Sequence, residues 1–382
     1  MRSPEEHAAH LRRLQRRAEH WQRGGPLPES ADPAIVAWRE PRFGAANPQV
    51  ITNPLWAWAV RTRRAACEVN KLLHVPDDRS HTPAWCFARM GQTSTTLPDG
   101  RIVHIAGEHE DFYDPDFFIY NDVTVVSPDG SVEIFGYPLD VFQPTDFHSA
   151  TLVGDRIVLI GCLGWSPQRE PSVTPVYTLA LDSWVIERVE TGGAAPGWIH
   201  AHEARLAADG GSIEVTGGKV HVGTDRTMQE NIDAWSLDLA TMHWTRLTRL
   251  DWQRWTMRPS VRRHSHLWEL RHRAWAVDNA FGDLVADGER LRAQLGHEPD
   301  LSLLNRLYAL DAEAVELEQA EGACRVYRVA IDGVVARFSE EDRHVAAIVE
   351  GRLSDARLHA LQRRVLDTLS RLENTPWVID AD

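Results

Sequence analysis

The chain has 382 residues and a formal net charge of -14, from 41 Lys plus Arg against 55 Asp plus Glu. Hydrophobic residues make up 43% and charged residues 25%, which excludes a wholly disordered, collagen-like or membrane-embedded chain. No window approaches the roughly 18 uninterrupted apolar residues of a membrane span, and the N-terminus is charged where a signal peptide is apolar, so a cytoplasmic protein is expected. Cys67, Cys86, Cys162 and Cys324 form no C-x-x-C pair, which points to buried free thiols rather than a disulfide framework or a thiolate zinc site. Tryptophan is over-used: 15 Trp stand against 10 Phe and 6 Tyr, so some structural position calls for it repeatedly.

Ser3-Pro4-Glu5-Glu6 has the pattern of a capping box with proline in the first helical position. Leu11, Leu14, Ala18 and Trp21 then recur at spacings of three and four, predicting a helix that ends at Gly24-Gly25-Pro26. A second helix is expected from Asn53 as N-cap, through Trp56, Trp58, Val60, Cys67 and Leu72, stopping before Pro76. Residues 1–84 therefore read as a helical arm.

Beyond residue 84 the sequence repeats itself. Thr96-Leu97 followed by Gly100-Arg101-Ile102-Val103 returns 55 positions later as Thr151-Leu152 followed by Asp155-Arg156-Ile157-Val158. A third copy runs from Leu206 through the turn Asp209-Gly210-Gly211 to Ile213-Glu214-Val215-Thr216-Gly217-Gly218. Each is a strand, a tight turn and a second strand running into small residues. The second halves repeat as Leu179-Ala180-Leu181-Asp182, Trp235-Ser236-Leu237-Asp238 and Tyr308-Ala309-Leu310-Asp311, each leading into another apolar segment headed by Trp184, Trp244 or Val315. Four short meandering strands per unit describe a propeller blade.

These residues resemble the kelch repeat. Asp146-Phe147-His148-Ser149 through Gly161 is similar to its first half, a His-Ser start and a strand ending in Gly-Gly, and Trp235 to Leu247 to its second. The double glycine is intact only at Gly217-Gly218; Ala106-Gly107 and Gly161-Cys162 replace it earlier, and a fourth unit has Ala276-Val277-Asp278 and an insertion from Phe281 to Asp300. The resemblance implies a mainly β fold, a kelch-like β-propeller of four to five blades over residues 85–320, with N- and C-terminal α-helical flanks. The C-terminal part, 321–382, is expected to hold a hairpin from Arg325 to Phe338 about Asp332-Gly333, a short helix through Val345, Ile348 and Val349, and a longer helix capped by Ser354.

Three constellations could carry function. His148, His202 and His264 align at the start of each repeat's first strand, and His200 and His266 complete two His-x-His runs; with Glu203 these could hold a transition metal. The competing reading is scaffold, each imidazole hydrogen-bonding a neighbouring blade. Glu108, Glu110, Asp111, Tyr113 and Asp114 lie in an acidic, aromatic loop suited to a basic partner. Arg262, Arg263 and Trp268 belong to a stretch of interleaved Arg and Trp (Arg258, Arg271 and Arg273; Trp252, Trp255 and Trp275) that could stack single-stranded nucleic acid, although the acidic total opposes this. No phosphate-binding loop, nucleophile elbow or zinc-protease motif is present, so no catalytic residue is assigned and no cofactor is expected beyond the metal option. The expected function is binding of another protein, or secondarily of a small molecule, through blade loops on one face. Inhibition of a basic partner such as a toxin is one version, and a metal-dependent enzyme with a His-rich site at the channel mouth is the alternative.

Overall fold

The computed structural model describes residues 38–73, 83–109, 117–222, 228–261, 263–278, 285–298, 300–321 and 324–380. The expected helix at Ser3–Trp21 lies outside them. The chain is mainly β and divides into two compact units, residues 1–226 with 230–248 and residues 227–229 with 249–382.

Among the described residues the first unit holds three sheets built on four-strand antiparallel meanders, with Gln49–Val50 added to the first and Gly192–Gly193 added in parallel to the third, and a smaller sheet in which Ile199–His200 pairs with Lys219–His221. Sheet 1 comprises Thr93–Thr96, Ile102–Ile105, Val123–Val126 and Val132–Gly136; sheet 2, Ser149–Val153, Arg156–Ile160, Val176–Ala180 and Ile186–Arg188; sheet 3, Glu203–Leu206, Ser212–Thr216, Trp235–Asp238 and His243–Arg246. The turns follow from local chemistry. Asp99, Asp129 and Asp209 each accept a backbone N–H two residues on, and the glycine after each takes the positive φ that the turn requires. The first strand of sheet 2 lies beside the first strands of sheets 1 and 3.

Alternation along a strand explains the core. In sheet 2, Ile157 and Leu159 join a buried layer shared with Val103, Ile105 and Val125 of sheet 1, whereas Val158 and Ile160 join one shared with Ile213, Val215 and Leu237 of sheet 3. A strand covered on both faces reads as an uninterrupted apolar run, as here. Trp184 and Trp244 are each buried in one of these two layers, at different places: Trp244 pairs with Leu237 as Ile186 does with Leu179, and Trp184 sits in the turn, where sheet 3 has Met242. A third layer packs the helix Pro54–Thr62 against Tyr120 and Ile134, with Trp56 and Trp85 stacked at 4.6 Å. Asn53 caps that helix by accepting from Leu55 and Trp56 N–H, as expected, but the helix ends at Arg63, which is left-handed at φ 51°, and resumes as Ala66–Leu72.

The second unit is a six-stranded antiparallel sheet, in the order Glu316–Glu321, Cys324–Ile331, Val334–Glu340, Val345–Glu350, Gln253–Pro259, Trp377–Ile379. The hairpin about Asp332-Gly333 and the helix Asp355–Glu373, capped by Ser354, form as expected. Two expectations are corrected. Val345–Glu350 is a strand, not a helix: its five consecutive buried residues suit a central strand covered on both faces. The fourth repeat is not a hairpin unit, because Leu267–Asp278, Val285–Leu295 and Leu301–Leu304 are helices and Tyr308 to Asp311 is irregular. Leu267, Leu270 and Arg271 are buried along one face at helical spacing, so the period is that of a helix.

These helices seal a buried polar network. Arg271 donates to Glu340 at 2.8 Å and to the Leu304 carbonyl, Tyr308 donates to Glu340 at 2.6 Å, and the guanidinium lies 4.2 Å from the Tyr327 ring centroid. Removing one partner strands a buried charge. Urea denaturation should therefore show Glu340→Ala losing about 3–5 kcal/mol, and Tyr308→Phe, which deletes one hydrogen bond, about 1 kcal/mol.

Candidate functional site

The three sheets meet through one interface used twice. Between sheets 1 and 2, Gly107 N donates to Thr145 O (2.9 Å), Phe147 N to Gly91 O (2.9 Å), and His148 Nε2 bonds Thr93 Oγ1 (2.8 Å). Between sheets 2 and 3, Cys162 N donates to Ile199 O (2.9 Å), Ala201 N to Phe147 O (2.7 Å), and His202 Nε2 bonds Ser149 Oγ (2.9 Å). Gly91, Phe147 and Ala201, each two residues before the first residue of the inner strand, are all left-handed. So are Ala106, Gly161 and Gly217, each directly after the second strand of its sheet. The broken double glycine thus preserves one conformation, and Ala106 adopts it despite carrying a Cβ.

Beyond this interface the inner hairpins continue for one more pair of positions. Met90 bridges Glu108, Asp146 O accepts from Leu163 N, and His200 pairs with Lys219. Glu108, Asp146, His200 and Lys219 therefore occupy corresponding places at the same end of the three sheets. Arg169 is anchored beside them by donating to Leu163 O and Gly164 O, both at 2.9 Å.

The electrostatics of this end are unusual for an acidic protein. Glu108 and Asp146 are buried, at 8% and 0% exposure, and each carboxyl acts on the protonation of the other. Burial, then the Asp146 hydrogen bond and charge, push Glu108 up to about 8, with Arg169 opposing. Burial also raises Asp146, while Gly164 N–H, 2.6 Å from its Oδ1, opposes the rise. The imidazoles shift the other way. Burial lowers His148 and His200 to about 3 and His202 to about 4, so all three are neutral; the charges of Lys219 and Arg169 add to the effect at His200. Cys162, buried nearby, is pushed up to about 12 and is inert as a nucleophile.

The site residues expected from sequence divide accordingly. Glu108 is buried rather than part of a solvated loop; Glu110, Asp111, Tyr113 and Asp114 lie outside the described residues, as does Arg262. His148 and His202 are repeat-equivalent and spend one ring nitrogen each on the preceding sheet. His264 is not their equivalent: it precedes the helix Leu267–Asp278 in the second unit, is largely exposed, and bonds Asp342 at 2.7 Å. His266 belongs to that unit too, and Glu203 is exposed. Among the described residues, no group of three or more His, Cys, Asp or Glu side chains is arranged to hold a metal ion. The Arg stretch is neutralised in place, since Arg258 pairs with Asp380, Arg263 with Glu373, Arg271 with Glu340 and Arg273 with Glu298. Trp255 is buried; Trp268 and Trp275 are about half exposed on one helix face, with His272 stacked between them. Asp146 and Arg169 escaped sequence reasoning, although Asp146 precedes the His-Ser start by the same two residues that separate His200 from His202.

No protein-family model and no curated protein matches the sequence. Among solved structures, the chain is similar to a fungal alcohol oxidase of the AA5 family in complex with copper, at 12% identity and a TM-score of 0.28, over 68% of this chain and 52% of that one. The chain thus spans about half the length of the structure it matches.

Two outcomes follow from the titrating groups. A carboxyl raised in the folded state keeps its proton where the unfolded chain has lost it, so Glu108 lowers stability as pH climbs from its ordinary 4.5 to about 8. Glu108→Gln replaces the titrating carboxyl with a neutral amide of the same size. Its melting temperature should be higher than that of the parent at pH 8, with a flatter profile between pH 5 and 8. The histidines act oppositely: their contribution is fully present above pH 6.5 and is lost as pH falls toward 4 and 3. His202→Ala should lose about 1–3 kcal/mol at pH 7, whereas His202→Gln, which can still donate to Ser149, should retain most of that and unfold at lower pH than the parent in an acid titration.

Proposed function

We propose that this chain is a kelch-like propeller scaffold that binds a basic protein partner through the loops at the end of the sheets where Glu108 and Asp146 lie. The observation that carries the reading is the repeated interface: it commits His148 and His202 to holding sheets together and leaves loops, not strands, to vary. Charge supports the choice of partner. The first unit carries 32 of the 55 acidic residues against 22 of the 41 basic ones, and Glu108 opens the acidic segment that runs to Asp116. An inhibitor of a cationic effector such as a toxin is the version in which such a surface matters most.

Affinity capture from the native host should recover a partner with the parent chain at low salt and lose it progressively as salt rises. A variant with Glu110→Gln, Asp111→Asn, Asp114→Asn and Asp116→Asn should recover at least tenfold less. A partner held equally by parent and variant would overturn the reading.

A further inference from the structure

The two edges of the second unit's six-stranded sheet differ. Glu316–Glu321, at one edge, carries the exposed side chains of Glu316 and Glu318 and a register shift between Leu317 and Gln319, two devices that discourage a further strand from adding. Trp377–Ile379, at the other edge, has no charge in the strand, and Ile379 is 39% exposed. The hydrogen-bond pattern shows which backbone groups are available there. Asp380 N donates to Thr256 O and Ser260 N to Pro376 O, so the alternate residues, Val378 included, bond inward to Gln253–Pro259 and Trp377 and Ile379 turn outward. Ser370 Oγ accepts from Trp377 N at 2.9 Å, which leaves the Ile379 N–H and C=O as the open rung among the described residues.

Beside that rung lies a groove of about 390 Å³, lined by Ile379 and by His359, Gln362, Arg363 and Leu366 of the helix Asp355–Glu373. Ile379 pairs with Met257, which packs with Leu361, Val365 and Leu369 of that helix, so Ile379 and the groove share one face of the sheet. The lining is cationic where it is polar. His359 and Arg363 are exposed, no acid joins them, and Arg363 donates Nε to the His359 carbonyl at 3.3 Å without pairing with a carboxylate among the described residues.

We propose that the Trp377–Ile379 edge is a docking site for an extended acidic segment of another protein, which adds to the sheet as a seventh strand. A strand laid about 4.8 Å away completes the rung at Ile379, and its alternating side chains send every second residue to the groove. An apolar residue there meets Ile379 and Leu366, and an Asp or Glu two positions on meets Arg363 and His359. A second copy of this chain, pairing through the same edge, brings a second cationic lining, so charge selects a different chain. The site shares no residue with the acidic loops of the first unit and does not rest on the reading proposed for them.

The probe is a capped seven-residue peptide in which Thr alternates with Glu, Ile and Glu, so that both acids and the Ile fall on one face. The full chain should bind it saturably in fluorescence anisotropy, and the Ile379 amide should become protected against hydrogen exchange. Replacing both Glu by Lys, or N-methylating the Ile so that its amide cannot complete the rung, should weaken binding roughly tenfold or more. Arg363→Glu, at an exposed position, should reverse the preference, losing the acidic peptide and gaining the Lys form. Acidic and Lys peptides bound alike, an N-methylated peptide bound as tightly as its parent, or no saturable binding would each overturn the proposal. So would a dimer in light scattering that Ile379→Lys dissociates, because a second copy would then occupy the edge.

Discussion

The contact between neighbouring inner strands is the constraint from which the first unit follows. Each contact consists of two backbone hydrogen bonds and one imidazole–hydroxyl bond, and it tolerates no spare atoms: a Cβ at Gly161 would sit 2.2 Å from the Ile199 carbonyl. Close approach requires left-handed backbone at the residues flanking the strands, which is natural for glycine and costs about 1 kcal/mol for Phe147, Ala201 or Ala106. Those costs are offset by the apolar layers that the contact brings together on either side of Arg156–Ile160. The histidines must be neutral to be buried there. The same burial that satisfies the scaffold therefore makes it sensitive to acid.

A different solution holds the second unit. Its sheet is covered by helices whose buried faces include arginine, and the charges are matched one by one with carboxylates rather than left to solvent. Glu373 shows the pattern: it is buried, accepts from Ser265 Oγ and His266 N at the start of the helix Leu267–Asp278, and pairs with Arg263. Its two oxygens satisfy the helix start and neutralise a cation together. Burial raises its pKa while these partners oppose the rise.

Much of the first unit was legible because its signals are local. Asp-Gly turns, the His-Ser start and the apolar run Ile157 to Ile160 each encode a conformation within a few residues. The fourth repeat misled for the same reason: Tyr308-Ala309-Leu310-Asp311 matches the third-strand pattern of the other units, yet no second strand stands beside it, and Tyr308 turns its hydroxyl to Glu340 instead. The Arg and Trp of 252–275 looked like a binding stripe because composition does not reveal partners. Four of those arginines pair with acids far along the chain, as Arg258 does with Asp380. The candidate site was only half visible. Glu108 was noticed for its acidic neighbours, but its partner Asp146 becomes adjacent only when two sheets close on each other.

That pairing bears on how the loop end works. Glu108 and Asp146 are buried beside Arg169, which donates to the Leu163 and Gly164 carbonyls and whose charge acts on both carboxyls. Its positive field therefore reaches His200 as well as Glu108. One end of the three sheets thus places the buried acid pair Glu108 and Asp146 at positions that correspond to those of the buried His200 and its cross-strand partner Lys219. Since these groups sit at corresponding repeat positions, the scaffold contributes the same backbone to each, and the chemistry differs only through the side chain placed there. A repeat architecture can in this way present unlike charges side by side without altering the contacts that hold its sheets together.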